Sequence, residues 1–315
     1  MKPVVYLVRA LPGDPFVGME GLIELRGGGA QPEGRAAQIL AARDAAVYVP
    51  TYIDRVDDGL LAALPALRLV ASYGVGVDHI DLAACRARGI AVTNTPGVLV
   101  EATADHTFAL LLTVARRVCE ADRFVRAGRW QAIEPAQLLG TDVHGKTLGI
   151  IGFGHIGQAV ARRALGFSMK VLYASPNEVS FPAPGISRVT LDVLLAESDF
   201  VSLHCPLTPT TRGLIGREQL RAMKRGAILV NTARGAVVDE AALVRALREG
   251  PLGGAGLDVF ADEPRVLEDL RAQENVVLTP HIGSGSQESR GAMARLVAEE
   301  VARLATGQPL VHRMV

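Results

Sequence analysis

The sequence predicts an α/β protein of two Rossmann-like domains, each a doubly wound parallel sheet, with a cleft between them. Short runs rich in β-branched residues alternate with longer amphipathic segments, which is the pattern of parallel sheets covered by helices. The 315 residues exceed what one hydrophobic core usually holds, and 49% of them are hydrophobic, so two cores can form. A glycine-rich turn at 152–157, between a predicted strand and a predicted helix, is typical of one such domain.

The first third of the chain is expected to alternate between strands and helices. Buried strands are predicted at 4–8, 46–49, 67–71 and 90–93, with helices at 57–64 and 81–88. Turn residues at 94–97 interrupt this pattern, and the helical spacing of apolar residues then predicts one long helix over about 100–125. Residues 128–146, which include the single tryptophan, Trp130, lack periodicity and are interpreted as an extended arm.

A second α/β run is predicted from Thr147 to about Thr279. Its strands are expected at 148–151, 171–173, 200–204, 227–231, 254–259 and 276–278. An amphipathic helix over about 287–306 then closes the chain.

The turn at 152–157 has the pattern G-x-G-x-x-G, with residues Gly152, Gly154, His155, Ile156 and Gly157. Gly152 permits a tight turn, Gly154 lets a pyrophosphate approach the backbone, and Gly157 lets the helix pack closely on the strand. The helix N-terminus offers N–H groups and a positive dipole end to phosphates. A purely structural turn is the alternative, but the strand before and the helix after it favour a dinucleotide site.

The end of the next strand predicts how the ribose 2′ position is recognised. An acidic residue there would bind the 2′-hydroxyl of NAD, but the chain has Ala-Ser-Pro-Asn at 174–177. Repulsion of a 2′-phosphate is therefore absent, and Ser175 could donate a hydrogen bond to it. No Arg or Lys follows closely, so the positive charge expected for strict NADP use is missing as well. We therefore expect use of both NAD and NADP, with a preference for NADPH.

Arg234, Glu263 and His281 each follow a predicted strand, where open α/β sheets bind ligands. An arginine can hold a carboxylate through two hydrogen bonds, and a histidine paired with a carboxylate can transfer a proton. Each residue alone could be structural, as a surface ion pair, a turn residue or a core histidine. Together they suit reduction of a 2-oxo acid, in which Arg234 binds the acid group and His281 protonates the oxygen at C2. The remaining histidines have no comparable setting, and no metal-ligand spacing appears.

Charge and composition exclude other classes of protein. The formal net charge is zero, which argues against nucleic acid or an anionic membrane as a partner. No signal peptide or apolar run of membrane-spanning length is seen, and three scattered cysteines suit a reducing compartment. We expect a cytoplasmic protein.

The chain resembles the D-isomer-specific 2-hydroxyacid dehydrogenases, most closely the glyoxylate/hydroxypyruvate reductase branch. The resemblance covers nearly the whole chain, through SYGVGVDHID at 72–81, VTNTPG at 92–97, EATAD at 101–105, the glycine-rich turn and the three motifs above. It implies that Arg234 and His281 act as described, that Glu263 keeps His281 protonated and oriented, and that the backbone of Val75 and Gly76 binds the substrate carboxylate.

The same resemblance implies further contacts and an assembly. Cofactor contacts are expected from residues throughout the second α/β run and the helix before it: Thr103, Gly154, His155, Ile156, Ser175, Pro206, Thr232, Ala233, Asp258, His281 and Gly283. Asp258 is expected at the nicotinamide amide. Family members are usually homodimers, in which Trp130 is a candidate to reach the partner's active site. Asp105 departs from the family pattern, since many relatives carry Glu there.

The resemblance also implies a discontinuous substrate domain, 1–98 plus 285–315, and a dinucleotide-binding domain, 99–284, with a cleft that closes before hydride transfer. Several other functions remain open. A corepressor that senses dinucleotides can share this architecture, and relatives act on D-lactate, phosphoglycerate, formate or phosphite. Pocket residues such as Tyr52 do not fix the size of the substrate.

Overall fold

A computed structural model of the chain describes residues 2–29, 34–177, 179 and 184–315. The chain divides into two compact units, unit 1 (Met1–Leu99 with Gly285–Val315) and unit 2 (Val100–Ser284). In each unit the strands of the described residues form one parallel sheet, in the orders β2-β1-β3-β4-β5 and β12-β11-β10-β9-β6-β7-β8. The predicted fold class, two α/β domains with parallel sheets, is confirmed.

The elements follow one another in alternation. Unit 1 begins with β1 (Val4–Leu7), β2 (Glu24–Gly27), α1 (Gly34–Ala41), β3 (Val47–Val49), α2 (Asp58–Ala63), β4 (Leu69–Ala71), α3 (Leu82–Ala87) and β5 (Ala91–Thr93). Unit 2 contains α4 (Val100–Ala115), α5 (Val118–Arg126), β6 (Thr147–Ile151), α6 (His155–Gly166), β7 (Lys170–Ala174), β8 (Ile186–Arg188), α7 (Leu191–Glu197), β9 (Phe200–Leu203), α8 (Arg217–Ala222), β10 (Ile228–Asn231), α9 (Glu240–Arg248), β11 (Gly254–Leu257), α10 (Glu268–Arg271) and β12 (Val276–Leu278). The chain returns to unit 1 as α11 (Gln287–Ala305).

In unit 1, local capping explains where two of the predicted helices begin. The Asp57 carboxylate accepts the backbone N–H of Leu60 at 3.0 Å, and the Asp81 carboxylate accepts that of Ala84 at 2.9 Å. Each carboxylate satisfies an N–H group that the first turn of a helix leaves without an intrahelical partner. Strand β2 was not predicted, because its sequence ELRG lacks β-branched residues and lies mostly exposed at the sheet edge.

The predicted single helix over 100–125 is wrong. The structure has two helices, α4 and α5, because Arg117 adopts a left-handed backbone conformation with φ of +52°. The Arg117 guanidinium donates to Glu120 at 2.7–2.8 Å and to the carbonyl of Leu139 at 3.3 Å. These contacts tie the bend to the following arm, and apolar periodicity alone does not encode them.

Alternate residues of the central strands of unit 2 are buried on opposite faces of its sheet. Leu148, Ile150 and Val230 belong to a core cluster that also contains side chains of α4 and α6. Val201 and Leu229 belong to the other cluster, with side chains of α7, α8 and α9. Helices therefore cover both faces, which is why these strands are hydrophobic throughout rather than alternating.

Strand order in unit 2 reverses at β6. From β6 the chain proceeds to β7 and β8 on one side, then returns to β9 on the other side of β6. In open parallel sheets such a switch point leaves a crevice at the carboxyl ends of the strands, where ligands bind. The glycine-rich turn follows β6 directly and therefore lies at this crevice.

No helix among the described residues is both long and apolar enough to cross a membrane.

Candidate active site

The glycine-rich turn has the geometry that a dinucleotide pyrophosphate requires. Gly152 has φ of +91°, and a side chain there would put Cβ 2.5 Å from the backbone nitrogen of Cys205. A Cβ on Gly157 would collide with the carbonyl oxygen of Gly152, whereas Gly154 faces open space. Because Gly154 has no side chain to cap α6, the first N–H groups of the helix at His155 and Ile156 can be offered to phosphate. The residues present therefore fit the pyrophosphate of a nicotinamide dinucleotide.

His281 and Glu263 form a direct pair. Nδ1 of His281 lies 2.7 Å from Oε2 of Glu263, and the other carboxylate oxygen accepts the backbone N–H of Phe260 at 3.0 Å. About a fifth of each side chain remains exposed, 20% for His281 and 17% for Glu263, so the pair is shielded but reachable. The carboxylate holds the imidazole in one orientation.

Arg234 follows β10, which is paired with β11. It therefore lies at the carboxyl ends of the same parallel strands as Glu263 and His281, which follow β11 and β12. Its Nη1 donates to the carbonyl of Ala233 at 2.7 Å, and Asn231 bridges the turn by donating to the Arg234 carbonyl at 2.9 Å. The next residue, Gly235, packs directly on the backbone of Phe260, and a Cβ there would collide with it. This close approach joins the Arg234 turn to the segment that carries Glu263.

A buried carboxylate organises the loop that carries His281. Asp258 is 1% exposed, and its oxygens accept the hydroxyl of Thr279 at 2.6 Å and the N–H groups of Ile282 at 2.8 Å and Gly283 at 2.7 Å. Burial by itself would raise the pKa of Asp258, but the hydrogen bonds from His106, Thr279 and the Ile282 backbone lower it below its ordinary value. The expected contact of Asp258 with the nicotinamide amide stays a prediction.

His106 was missed by sequence reasoning, and the expectation that no remaining histidine has a comparable setting is wrong. Its Nε2 lies 3.0 Å from Oγ1 of Thr279 and 3.3 Å from Oδ1 of Asp258. His106 is on α4 and therefore joins this helix to the loops after β11 and β12. A sequence signal existed, because His106 follows the EATAD motif by one residue, but only the fold shows its partners.

Other expected cofactor residues lie close to these groups. Thr103 and Gly283 are neighbours, since a Cβ on Gly283 would lie 3.5 Å from the methyl group of Thr103. Thr107 lies 2.9 Å from the hydroxyl of Thr232 and donates to the carbonyl of Thr103 at 2.8 Å, so it connects two predicted contacts. The carbonyl of Pro206 accepts the Thr211 hydroxyl at 2.6 Å.

The expectation that no positive charge lies near the end of the second strand of unit 2 is wrong. Arg188, the last residue of β8, donates from Nη2 to the carbonyls of Ser175 at 3.0 Å and Pro176 at 2.8 Å. Arg188 is 13 residues from Ser175 along the chain, too distant for the residues after the strand to indicate their contact. Pairing of β7 with β8, in which Tyr173 faces Arg188, removes that separation.

Three further expected features lie in other parts of the chain. Val75 and Gly76 lie in unit 1 after β4, where Asn94 donates to the carbonyl of Val75 at 2.9 Å. Tyr52 follows β3 in the same unit. In unit 2, Trp130 is 58% exposed on the arm. The roles expected for these residues stay predictions.

Comparison with known proteins gives a consistent result. The family model described as "D-isomer specific 2-hydroxyacid dehydrogenase, NAD binding domain" matches residues 108–283, which lie inside unit 2. A glyoxylate reductase of Thermococcus litoralis is 48% identical, over 98% of this chain and 95% of its own. A glyoxylate reductase of Korarchaeum cryptofilum is 50% identical, over 98% and 94%.

Solved structures agree with these relatives. A protein of Thermus thermophilus with 47% identity superposes with a TM-score of 0.92, and the match covers 99% of this chain and 100% of the other. An NADPH-dependent glyoxylate/hydroxypyruvate reductase of Sinorhizobium meliloti, in complex with NADP and malonate, has 32% identity and a TM-score of 0.89, over 100% and 97%. The chain therefore belongs to the D-isomer-specific 2-hydroxyacid dehydrogenase family.

Proposed function

We propose that this protein is an NAD(P)H-linked reductase that converts glyoxylate and hydroxypyruvate to 2-hydroxy acids, with the D configuration at a new stereocentre. The observation that carries the proposal is the 2.7 Å contact between His281 Nδ1 and Glu263 Oε2. Both residues follow strands of the sheet in which the glycine-rich turn follows β6, so all three lie at the carboxyl ends of its parallel strands. The substrate class is taken from relatives of nearly equal length that are named glyoxylate reductase.

The reduction requires a hydride at C2 of the 2-oxo acid and a proton on its oxygen. When bound, the reduced nicotinamide supplies the hydride. His281 supplies the proton, and because its Nδ1 faces Glu263, we assign the transfer to Nε2. Loss of that proton leaves a neutral imidazole, which Glu263 keeps in one orientation for reprotonation. Transfer of one hydride and one proton balances the conversion of the ketone or aldehyde to an alcohol.

Arg234 is assigned to the substrate carboxylate. Its guanidinium can donate two parallel hydrogen bonds to the two carboxylate oxygens, and its charge polarises the neighbouring carbonyl. The Asn231 bridge and the packing of Gly235 on Phe260 hold the turn from which it extends. We assign unit 2 to dinucleotide binding and unit 1 to the substrate, with use of both cofactors and a preference for NADPH.

The decisive experiment is a substrate panel followed by the near-ultraviolet absorbance of the reduced cofactor. Glyoxylate, hydroxypyruvate, pyruvate and 3-phosphohydroxypyruvate would each be tested with NADPH and NADH. We expect the highest kcat/KM with glyoxylate or hydroxypyruvate. A higher value for pyruvate or the phosphorylated acid would assign a different substrate, and no oxidation of either cofactor with any acid would contradict the reductase.

We also propose a homodimer that forms through unit 2. Support comes from large apolar side chains on α5 and the arm that lie in solvent: Val118, Val125, Trp130, Ile133 and Leu139 are each at least 50% exposed. Exposed apolar groups on one connected segment are typical of an interface with another chain. Sedimentation equilibrium, which measures mass independently of shape, tests whether the particle has twice the mass of the chain.

A further inference from the structure

Arg188 lies where two adjacent strands end. It is the last residue of β8, and its register partner Tyr173 is the penultimate residue of β7. Its guanidinium turns towards the segment after β7, where Nη2 donates to Ser175 O and Pro176 O, and Nε lies 3.3 Å from Ser175 O. These contacts fix the position of a side chain that is otherwise exposed to solvent.

The charge of Arg188 is not neutralised by these contacts. All its hydrogen-bond acceptors are backbone carbonyls, and none of the carboxylates in the described residues lies within 4 Å of its guanidinium. These hydrogen bonds use Nη2 and Nε, so the two N–H groups of Nη1 can still donate to a ligand. An exposed, oriented guanidinium that forms no ion pair with any described carboxylate is suited to binding an anion.

The position of Arg188 indicates which anion. In a Rossmann fold, the residue after the second strand contacts the ribose 2′ position of the bound dinucleotide. Here that strand is β7, and residues 174–177 contain no acid that would bind a 2′-hydroxyl or repel a 2′-phosphate. The guanidinium lies against Ser175 and Pro176, within this same segment.

We propose that Arg188, with the hydroxyl of Ser175, forms the binding site for the 2′-phosphate of NADP and is the residue that selects NADPH over NADH. This inference rests on the proposed dinucleotide function. It assigns cofactor selection to a residue of β8, rather than to the loop after β7 where such residues are usually sought. The carbonyls of Ser175 and Pro176 orient the Arg188 guanidinium, so that its Nη1 N–H groups can donate hydrogen bonds to the phosphate oxygens.

A structural role is the competing explanation. The same three hydrogen bonds could simply hold the turn after β7, in which case loss of Arg188 would weaken every dinucleotide to the same extent. A 2′-phosphate contact has a different signature, because it affects only ligands that carry that phosphate. Adenosine 2′,5′-bisphosphate and AMP differ in this one group and need neither a substrate nor turnover.

The experiment measures both ligands by calorimetry on Arg188→Gln, Arg188→Lys and a control, Arg225→Gln. Arg225 is exposed and precedes β10, so it lies at the amino ends of the parallel strands, whereas Arg188 lies at their carboxyl ends; its variant therefore removes an equal charge away from the site. For R188Q we expect affinity for the bisphosphate to fall by about 10- to 100-fold, as for one charge-assisted contact, with AMP within about twofold. R188K should lose less, and R225Q should match the wild-type protein with both ligands.

Kinetics then separate the two proposals. In R188Q the kcat/KM for NADPH should fall by about the same factor as bisphosphate affinity, mainly through KM, while that for NADH stays unchanged. Equal losses for bisphosphate and AMP, or no loss for either, would overturn the assignment of Arg188. If no 2-oxo acid is reduced but R188Q still loses only the bisphosphate, the proposed function fails and the phosphate site stands. Thermal unfolding of each variant checks that it is folded.

Discussion

His281 is held in a backbone conformation that non-glycine residues rarely adopt, with φ of +52°. Such a conformation costs on the order of 1 kcal/mol, so surrounding contacts must stabilise it. Here the His281 N–H donates to the carbonyl of Asp258 at 2.8 Å, and the next two N–H groups donate to the Asp258 carboxylate. The geometry aims the imidazole at Glu263 and ties its position to the sheet.

Replacing His281 with Ala should lower kcat by about 10²- to 10⁴-fold, because the proton donor is lost. Cofactor should still bind, since the glycine-rich turn is untouched. Steady-state kinetics with glyoxylate, together with NADPH titration by protein fluorescence, measures both. Normal turnover in this variant would contradict the role of His281. Replacing the exposed His144 with Ala is the matched control and should change neither quantity.

Replacing Arg234 with Ala should mainly impair capture of the substrate. Loss of a charge-assisted contact costs about 1.5–3 kcal/mol, which corresponds to an increase in KM for the 2-oxo acid of about 10- to 150-fold. Arg234→Lys keeps the charge but not the two parallel donors, so it should recover only part of the affinity. An unchanged KM in R234A would argue against a carboxylate contact.

At the scale of elements, the loop after β12 depends on one buried carboxylate. Asp258→Asn keeps the shape but turns an acceptor into a donor that faces backbone N–H groups. We expect the free energy of unfolding to fall by about 1.5–3 kcal/mol, with a lower kcat because His281 is displaced. Asp262→Asn removes an exposed carboxylate nearby, 69% exposed, and should cost less than about 1 kcal/mol.

Urea unfolding and glyoxylate turnover of the two variants give the comparison. If Asp258→Asn lost stability but kept the wild-type kcat, the carboxylate would support the fold without positioning His281. Because its pKa is lowered in the folded state, Asp258 stabilises the protein above the ordinary aspartate value of about 3.9. That stabilisation should be lost as the pH falls through the lowered pKa. The free energies of unfolding of the wild-type protein and of Asp258→Asn should therefore converge in strong acid.

At the scale of the whole molecule, His204 should make the fold sensitive to acid. It follows β9, lies 2.8 Å from the Ser202 hydroxyl, and is largely desolvated although part of its surface stays accessible. Burial lowers its pKa to about 3. Below the ordinary value of about 6.5 the unfolded chain takes up a proton that the folded chain does not, so stability decreases by up to about 1.4 kcal/mol per pH unit.

His204→Gln should remove this dependence, whatever it costs at neutral pH. We expect the melting temperature of the variant to fall less steeply than that of the wild type between about pH 6.5 and 4.5. This interval lies between the ordinary histidine pKa of about 6.5 and the lowered pKa of His204. His144→Gln, at an exposed histidine, should keep the wild-type slope. Parallel slopes for His204→Gln and the wild type would contradict the assignment.

Patterns local in sequence predicted most of the strands of the fold. Runs such as 148–151 and 228–230 contain no polar side chain because helices cover both faces of the sheet, and this distinguishes them without a structure. Strands β2 and β8 were not predicted, because ELRG and ISR are short and largely exposed at the edges of their sheets. Their conformation is imposed by pairing with a neighbour rather than by their own residues.

For the site, the sequence alone indicates which residue types follow which strands. It placed a glycine-rich turn after β6 and an arginine, a glutamate and a histidine after three later strands, because strand ends are readable from hydrophobic runs and the turns after them. Which of these groups come into contact depends on the folded arrangement of the elements. Arg188 reaches Ser175, and His106 reaches Asp258, through strand pairing and helix packing that bring together residues 13 and 152 positions apart. Contacts of that kind depend on the arrangement of whole elements, which no window of neighbouring residues contains.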